Sequence, residues 1–151
     1  MAAAHVDTGY VSSAEGKSGR RGIHVRGRAA LFPAAASVRG KVTEEVQQIA
    51  LEPELTTPIG ALPVYAAAGA HLFQLEHVDG QVDFGMFSPV LEVGVLYAFS
   101  ERKSGWTARR GTLVLVNATW ERDFRFGDAP AESFYTINMG IGAYEASVLG
   151  L

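Results

Sequence analysis

The feature that most constrains this chain is a succession of strand-like segments separated by turns, which occupies everything beyond residue 64. Asp79-Gly80 lies between two of these segments and is the strongest two-residue hairpin signal in the sequence. Strand patterns joined by antiparallel turns, without a strand–helix–strand rhythm, are typical of sandwiches and barrels. We therefore predict a mainly β fold, an antiparallel β-sandwich or β-barrel, with strands at about 64–67, 70–78, 81–88, 90–100, 105–109, 111–120, 121–126, 133–139 and 141–149.

A further strand is predicted at residues 23–32, where side chains of two kinds alternate. Ile23 and Val25 lie on one face, and the other face carries Arg26 and Arg28. An apolar row opposite a polar row is the pattern of a half-buried strand. The basic row of this strand continues the positive charge of the N-terminal region.

One segment has a helical pattern. Val42, Val46 and Ile49 recur at intervals of four and three residues, and Thr43 is a suitable N-cap. We therefore predict one short helix at about 43–51.

Residues 1–22 are predicted to form an extended, basic, Gly- and Ser-rich arm, and residues 23–151 a single β domain. Little apolar surface is available in 8–22 for independent folding. Residues 1–41 contain seven basic and two acidic side chains, whereas residues 42–151 contain six basic and fourteen acidic ones. A basic arm on an acidic body is typical of an interaction tail.

The sequence also bears on the location of the protein. Residues 1–7 have neither the positive region nor the apolar region of a signal peptide. The longest apolar stretches, such as 90–99, are too short for a membrane-spanning helix, and Glu92 interrupts that one. We therefore expect a soluble protein, cytoplasmic or incorporated into a particle, without membrane contact. The absence of cysteine excludes disulfides and thiolate metal sites.

No motif indicates a cofactor, a metal or a catalytic site. Gly16-Lys17-Ser18 lacks the first glycine of a phosphate-binding loop, because Val11 stands in its place. Gly140-Ile141-Gly142 lacks the third glycine of a dinucleotide fingerprint. His71 and His77 share a face of one predicted strand but would lie about 20 Å apart, too far to bind one metal. The sequence thus predicts no cofactor, no bound metal and no catalytic residue, and it favours a non-enzymatic protein.

The division of charge favours a structural subunit of a larger homo-oligomeric assembly. The arm would bind the acidic surface of neighbouring copies, with contacts from Tyr10, Lys17, Arg20, Arg21, Arg26 and Arg28. Arms of this kind are typical of virion components of the tail-tube, connector and capsid-decoration types, which is a comparison of architecture alone. The expected partners are copies of the chain and other assembly components. Nucleic acid is not expected, since the acidic body would repel its phosphates.

The alternative is a small β-barrel that binds or cyclises an apolar small molecule, the one case in which a small-molecule partner is expected. The segment GIGAYEASVLG at 140–150 resembles the glycine-aromatic strand of calycin-like cyclases. This resemblance implies a cavity inside the barrel. Glu92 is of interest because, if it is buried, it needs a partner such as Arg109, Arg110 or Arg122. The candidate cavity residues are Glu76, Glu92, Tyr97, Trp106 and Tyr144.

Overall fold

The described part of the chain consists of antiparallel strands. The structure, a computed structural model, describes residues 2–14, 21–31, 33–43, 46–58, 64–78, 80–85, 88–104, 108–124 and 132–147. The strands are β1 (Ala2–Ser13), β2 (Arg21–Leu31), β3 (Ala34–Thr43), β4 (Val46–Pro58), β5 (Val64–His71), β6 (Phe73–Val78), β7 (Gln81–Gly85), β8 (Ser88–Ser104), β9 (Ala108–Asp123) and β10 (Glu132–Ser147). No helix long and apolar enough to cross a membrane occurs in these ranges.

The strands close into a barrel. β1 pairs with β2 on one side and with the last strand, β10, on the other, so the first and last strands of the chain are neighbours. β5 and β6 follow one another along the same edge of β4, and β7 and β8 follow one another along the next edge. The ten segments therefore occupy eight positions in one closed antiparallel sheet. Of the two predicted architectures, the β-barrel is confirmed and the sandwich is not observed.

The strands are strongly staggered around the barrel. The residue directly opposite Val95 on the next strand is Val116, and the residue opposite Val116 is Met139. Continued from strand to strand once around the barrel, this series of opposed residues ends at Phe84. Phe84 occupies the same position in the ring as Val95 but lies eleven residues earlier in the chain. A stagger of this size corresponds to a strand tilt of about 45° from the barrel axis.

The predicted helix at 43–51 is not seen. β3 ends at Thr43, and β4 runs through this region with β3 on one side and β6 on the other. Along β4 Gln48 and Ala50 are buried, whereas Ile49 and Leu51 are exposed. This is a period of two, and the helical spacing of the apolar residues was misleading because both periods fit so short a segment.

The predicted N-terminal arm is not seen either. Its first part is β1, whose backbone is hydrogen-bonded on both edges and closes the barrel. His5 and Asp7 are buried, whereas Val6 and Tyr10 are exposed, so this segment alternates like its neighbours. The first residues of the predicted arm are therefore part of the barrel wall.

The predicted hairpin at Asp79-Gly80 is present. Val78 pairs with Gln81 across the turn, and Gly80 has a φ of 80°. This left-handed conformation is strained for residues that carry a Cβ atom, which explains the glycine.

Candidate functional site

The barrel has a polar interior and an apolar exterior. Twenty-four large apolar side chains of the described residues are exposed, among them Ile137, Met139 and Ile141 on β10. The buried set includes four cationic and seven acidic side chains, together with three histidines. Buried charges are rare in water-soluble domains, where the apolar side chains form the core. The interior, which we call the lumen, is the candidate functional site.

This polarity follows from the alternation along each strand. In β3 the inward positions carry Ser37, Arg39 and Lys41, and the outward positions between them carry Val38 and Gly40. Successive side chains of a strand point to opposite faces, so one register sends every charged residue to the same side. The local sequence therefore defines two faces, and closure of the sheet encloses the charged one.

One half of the lumen is organised around Arg26 and Arg28. The Arg26 guanidinium lies 3.0 Å from Asp7 and 2.5 Å from Glu92. Arg28 lies 3.2 Å from Glu92 and 2.7 Å from Glu54. Two cations and three carboxylates thus form one continuous network across strands that are distant in sequence.

Neutral side chains extend this network. The Tyr65 hydroxyl donates a hydrogen bond to Glu92 and accepts one from the Asn117 amide at 3.2 Å. Asn138 in turn donates to the Asn117 carbonyl oxygen at 2.7 Å. His24 Nδ1 lies 2.8 Å from the Asn138 carbonyl oxygen, so it acts as the donor in this contact.

Tyr65 has room because the residue opposite it has no side chain. Gly94 is directly opposed to Tyr65, and a Cβ atom at Gly94 would lie 2.6 Å from the tyrosine ring. Glycine at this position lets the ring lie flat against the neighbouring strand, from where its hydroxyl reaches Glu92.

The other half of the lumen is organised around Glu121. Lys41 Nζ lies 2.6 Å from one Glu121 oxygen, and Arg39 pairs with the other. Lys41 also lies 3.4 Å from Asp123 and 3.9 Å from the centroid of the Phe134 ring. Each cation in this half therefore has more than one partner.

Arg39 connects Glu121 to the ion pair formed by His71 and Glu52. Arg39 lies 3.9 Å from Glu52, and His71 Nε2 lies 3.1 Å from the same carboxylate. Ser37 donates to Glu54 at 2.9 Å, which adds a contact from β3 to the first half of the lumen. The lumen of the described barrel is thus filled by paired side chains on nearly every strand.

The chemistry of this arrangement is that of mutual neutralisation. Removing ions from water is costly unless they are paired and hydrogen-bonded, and every carboxylate described above lies near a cation. No group of three or more residues able to hold a metal occurs in the ranges that the structure describes. The arrangement supports the barrel wall and occupies its interior.

The structure brings together three of the residues that the sequence singled out. Arg26, Arg28 and Glu92 meet in the lumen, although the sequence assigned the two arginines to subunit contacts and Glu92 to a ligand cavity. Glu92 has the arginine partners that we expected, but from β2 rather than from Arg109, Arg110 or Arg122.

The remaining candidate residues are dispersed. Tyr10, Arg21 and Tyr97 are exposed, and Tyr144 is half-buried against Gly111 of β9. Glu76 lies in β6, in register with Asp83, but its side chain is outside the described set, as are Lys17, Arg20 and Trp106. No finding tests the contact and cavity roles predicted for these residues.

Several residues of the lumen were missed. They include Asp7, Arg39, Lys41, Glu54 and Glu121, all of which are buried and paired. The signal that could have identified most of them is the recurrence of charged residues at alternate positions, Arg39 and Lys41 in β3 and Glu52 and Glu54 in β4, which resembles the basic row noted in β2.

Comparisons with known proteins concern the fold alone. No protein-family model matches the chain, and no curated protein matches it either. The fold is similar to the crystal structure of Neisserial surface protein A, with a TM-score of 0.52, 14% identity, and coverage of 93% of this chain and 94% of that one. It is also similar to the N-terminal β-barrel domain of Pseudomonas aeruginosa OprF, with a TM-score of 0.51, 6% identity, and coverage of 94% and 97%.

These similarities contradict four predictions made from the sequence. The virion-type, self-assembling subunit and its assembly partners are not supported, and neither is the small-molecule barrel. The predicted soluble location and absence of membrane contact are contradicted as well, by the likeness of the fold to these two barrels. The physical reason for these errors is that the charged residues, taken as surface residues, are enclosed, and the apolar residues form the outer surface.

Proposed function

We propose that this chain is a membrane-embedded β-barrel of the outer-membrane type, whose apolar outer surface contacts lipid acyl chains and whose lumen is closed by ion pairs. The observation that carries the proposal is the reversed polarity of the barrel. Met139 on the outside is 65% exposed, whereas Asn138 beside it is fully buried. In a bilayer each of these side chains is in a favourable environment, and in water neither is.

The exposed apolar surface is too extensive for a protein in water. It covers outward positions on most strands, whereas a soluble monomer exposes patches of only a few hundred Å². On β10 the outward residues from Tyr135 to Ala143 are all apolar and exposed. At the tilt given above they span about 20 Å along the barrel axis, close to the apolar band of about 25 Å in transmembrane barrels.

The backbone is also suited to a bilayer. Lipid offers no partner to an unpaired amide or carbonyl group, so only helices and closed barrels span membranes. Here the pairing of β1 with β10 joins the first and last strands, and each described strand except β7 is paired on both of its edges. Closure therefore supports insertion in addition to the apolar surface.

The filled lumen supports a role as a membrane-anchored barrel rather than an open pore. An eight-stranded barrel has an interior just wide enough to be filled by side chains. Arg26 is within 3.0 Å of carboxylates from β1 and β8, so contacts cross the lumen and are not confined to its wall. Water-filled channels require more strands or smaller inward residues.

Folding into lipid vesicles tests this proposal. The denatured chain, diluted into phosphatidylcholine vesicles, should form a species that migrates differently on gels before and after boiling, and its tryptophan emission should shift to the blue. The same dilution without lipid should give neither result. A monomer that is equally folded in buffer would refute the proposal.

A matched pair of arginine substitutions makes the test specific to the lipid-facing surface. Met139→Arg places a charge at the middle of the β10 band, and Gln47→Arg places the same charge on an exposed position of β4 near its end. Arginine costs about 2–4 kcal/mol at the bilayer midplane and about 0–1 kcal/mol near the interface. We expect Met139→Arg to reduce the folded fraction strongly and Gln47→Arg to leave it nearly unchanged; equal effects would contradict the proposed orientation of this face.

A further inference from the structure

The outer surface of the barrel changes character at one end, where β1 and β9 end and β2 and β10 begin; we call this the upper end. Toward it the outward residues of β9 are Ala118, Trp120 and Arg122, and those of β10 are Tyr135 and Ser133. In a membrane-inserted barrel, tryptophan and tyrosine at the end of the apolar band lie at the level of the lipid headgroups. The arginine and serine beyond them therefore lie at the depth of the lipid phosphates.

The charge that the outer surface presents is positive wherever the structure describes it. Every described acidic side chain is buried in the lumen, namely Asp7, Glu52, Glu54, Glu92, Glu121, Asp123 and Glu132. Of the described lysines and arginines, only Arg21 and Arg122 are not buried, and both lie at the upper end. Lipid headgroups at this end thus meet cations and, within the described part of the chain, no exposed carboxylate.

Arg122 is held against the outer surface by two neighbours. Its Nη1 donates a hydrogen bond to Ser133 Oγ at 3.1 Å, and its guanidinium carbon lies 5.8 Å from the centroid of the Phe124 ring. Ser133 is directly opposed to Arg122, so the guanidinium reaches across to the neighbouring strand. A guanidinium has five N–H donors, and among the described residues Ser133 is its one hydrogen-bond partner. A planar cation already held in place is suited to phosphate oxygens, since less side-chain freedom is lost on binding.

Aromatic side chains flank Arg122 along the strand. Trp120, Arg122 and Phe124 are successive outward residues of β9, because Glu121 and Asp123 between them are buried. Trp120 is directly opposed to Tyr135, which is 55% exposed, and Phe124 is 46% exposed. The Trp120–Tyr135 pair lies on the side of Arg122 that faces the apolar band, where acyl chains would pack. The cation is therefore next to the surface that a lipid molecule would already contact.

We propose that Arg122 binds the headgroup phosphate of an anionic glycerophospholipid in the leaflet at the upper end of the barrel. The inference rests on the proposed membrane insertion and goes further by naming the lipid class and the residue. The guanidinium donates to the phosphate oxygens, and Ser133 and Phe124 act as positioning residues. Basic side chains at this depth attract anionic lipid.

The test uses Trp120 as the reporter. The sequence contains two tryptophans, so Trp106→Phe leaves Trp120 as the single fluorophore, two residues from Arg122 on the same face. The full-length variant is folded into phosphatidylcholine vesicles that contain the same mole fraction of a spin-labelled lipid, either phosphatidylglycerol or phosphatidylcholine. We expect the phosphatidylglycerol probe to quench Trp120 with an apparent association constant about three- to fivefold higher.

A matched pair of substitutions separates a local site from the overall charge. Arg122→Gln should bring the ratio of the two constants to about one. Arg21→Gln removes the same charge at the same end, but three strands from β9 and thus about 14 Å away across the sheet, and should leave most of the preference. Arg122→Lys keeps the charge and should also retain most of it. Gel mobility before and after boiling verifies that each variant has folded.

Each contrary result has a distinct meaning. Equal quenching by the two probes with Arg122 present overturns the lipid preference while leaving membrane insertion intact. Equal losses in Arg122→Gln and Arg21→Gln, or a loss in Arg122→Lys as large as in Arg122→Gln, overturn the proposed site. A preference abolished by inorganic phosphate, added against an equal ionic strength of chloride, would overturn the assignment to lipid. Absence of quenching by either probe would mean that the barrel does not insert, which overturns this inference together with the proposed function.

Discussion

Replacement of Glu121 by glutamine should destabilise the barrel more than the same replacement at Glu92. Glu121 is 1% exposed and lies between Lys41, at 2.6 Å, and Arg39. Glutamine has nearly the same volume, so the substitution removes a charge without creating a cavity. Breaking a buried ion pair costs about 3–5 kcal/mol, because it leaves an uncompensated charge in a medium of low dielectric constant.

Which of the two variants loses more stability depends on the partners that the cations retain. Without the charge of Glu121, Lys41 retains Asp123 at 3.4 Å and Arg39 retains Glu52 at 3.9 Å, both long contacts. Loss of the Glu92 charge leaves closer second partners, since Arg26 keeps Asp7 at 3.0 Å and Arg28 keeps Glu54 at 2.7 Å. We therefore expect a loss near the upper end of the range for Glu121→Gln and near or below its lower end for Glu92→Gln.

Urea unfolding of the barrel in vesicles measures this difference. With a denaturant slope of about 1–3 kcal/mol per molar, Glu121→Gln should lower the unfolding midpoint by at least about 1 M, and Glu92→Gln by less. Tryptophan emission follows the transition, and agreement between unfolding and refolding curves verifies equilibrium. A Glu121→Gln midpoint that equals or exceeds that of Glu92→Gln would refute the argument from second partners.

Two further predictions concern glycines. Gly94→Ala should lower the unfolding free energy by about 1–3 kcal/mol, because its Cβ atom would lie 2.6 Å from the Tyr65 ring, whereas Gly27→Ala should be neutral or slightly stabilising, since nothing lies within 4 Å. Comparable urea midpoints for these two variants would show that the close contact with the Tyr65 ring does not lower the stability of the barrel. Gly80→Ala should cost about 1–2 kcal/mol because alanine is strained at a φ of 80°, and its effect should appear mainly as a lower unfolding midpoint. A Gly80→Ala barrel as stable as the original would mean that the turn relaxes without cost.

Part of the fold could be predicted because its signals are local. The alternation at 23–32 and the hairpin at Asp79-Gly80 are both present in the structure. Each depends on the preferences of a few consecutive residues, namely the period of two and the left-handed conformation of glycine. The mainly β class and the barrel alternative followed from the same evidence.

The errors arose where local patterns are ambiguous. Val42, Val46 and Ile49 match a helical spacing, yet β4 becomes a strand because β3 and β6 pair with both of its edges. Residues 8–22 offered little apolar surface for independent folding, yet 8–13 belong to β1, which forms because β2 and β10 supply partners for its backbone. In both cases contacts with distant segments outweigh the preference of the isolated sequence.

The sequence by itself determined that most strands have one polar and one apolar face, since adjacent side chains of a strand point in opposite directions. Only the tertiary structure decided which face is enclosed. The closing pair β1–β10 curves the sheet so that the charged face lies inside, and the resulting ion pairs join residues as distant as Arg26 and Glu92, 66 positions apart, or Lys41 and Glu121, 80 positions apart. No short segment contains both members of such a pair, so neither the lumen nor the apolar surface that it leaves outside could be located before the barrel closed.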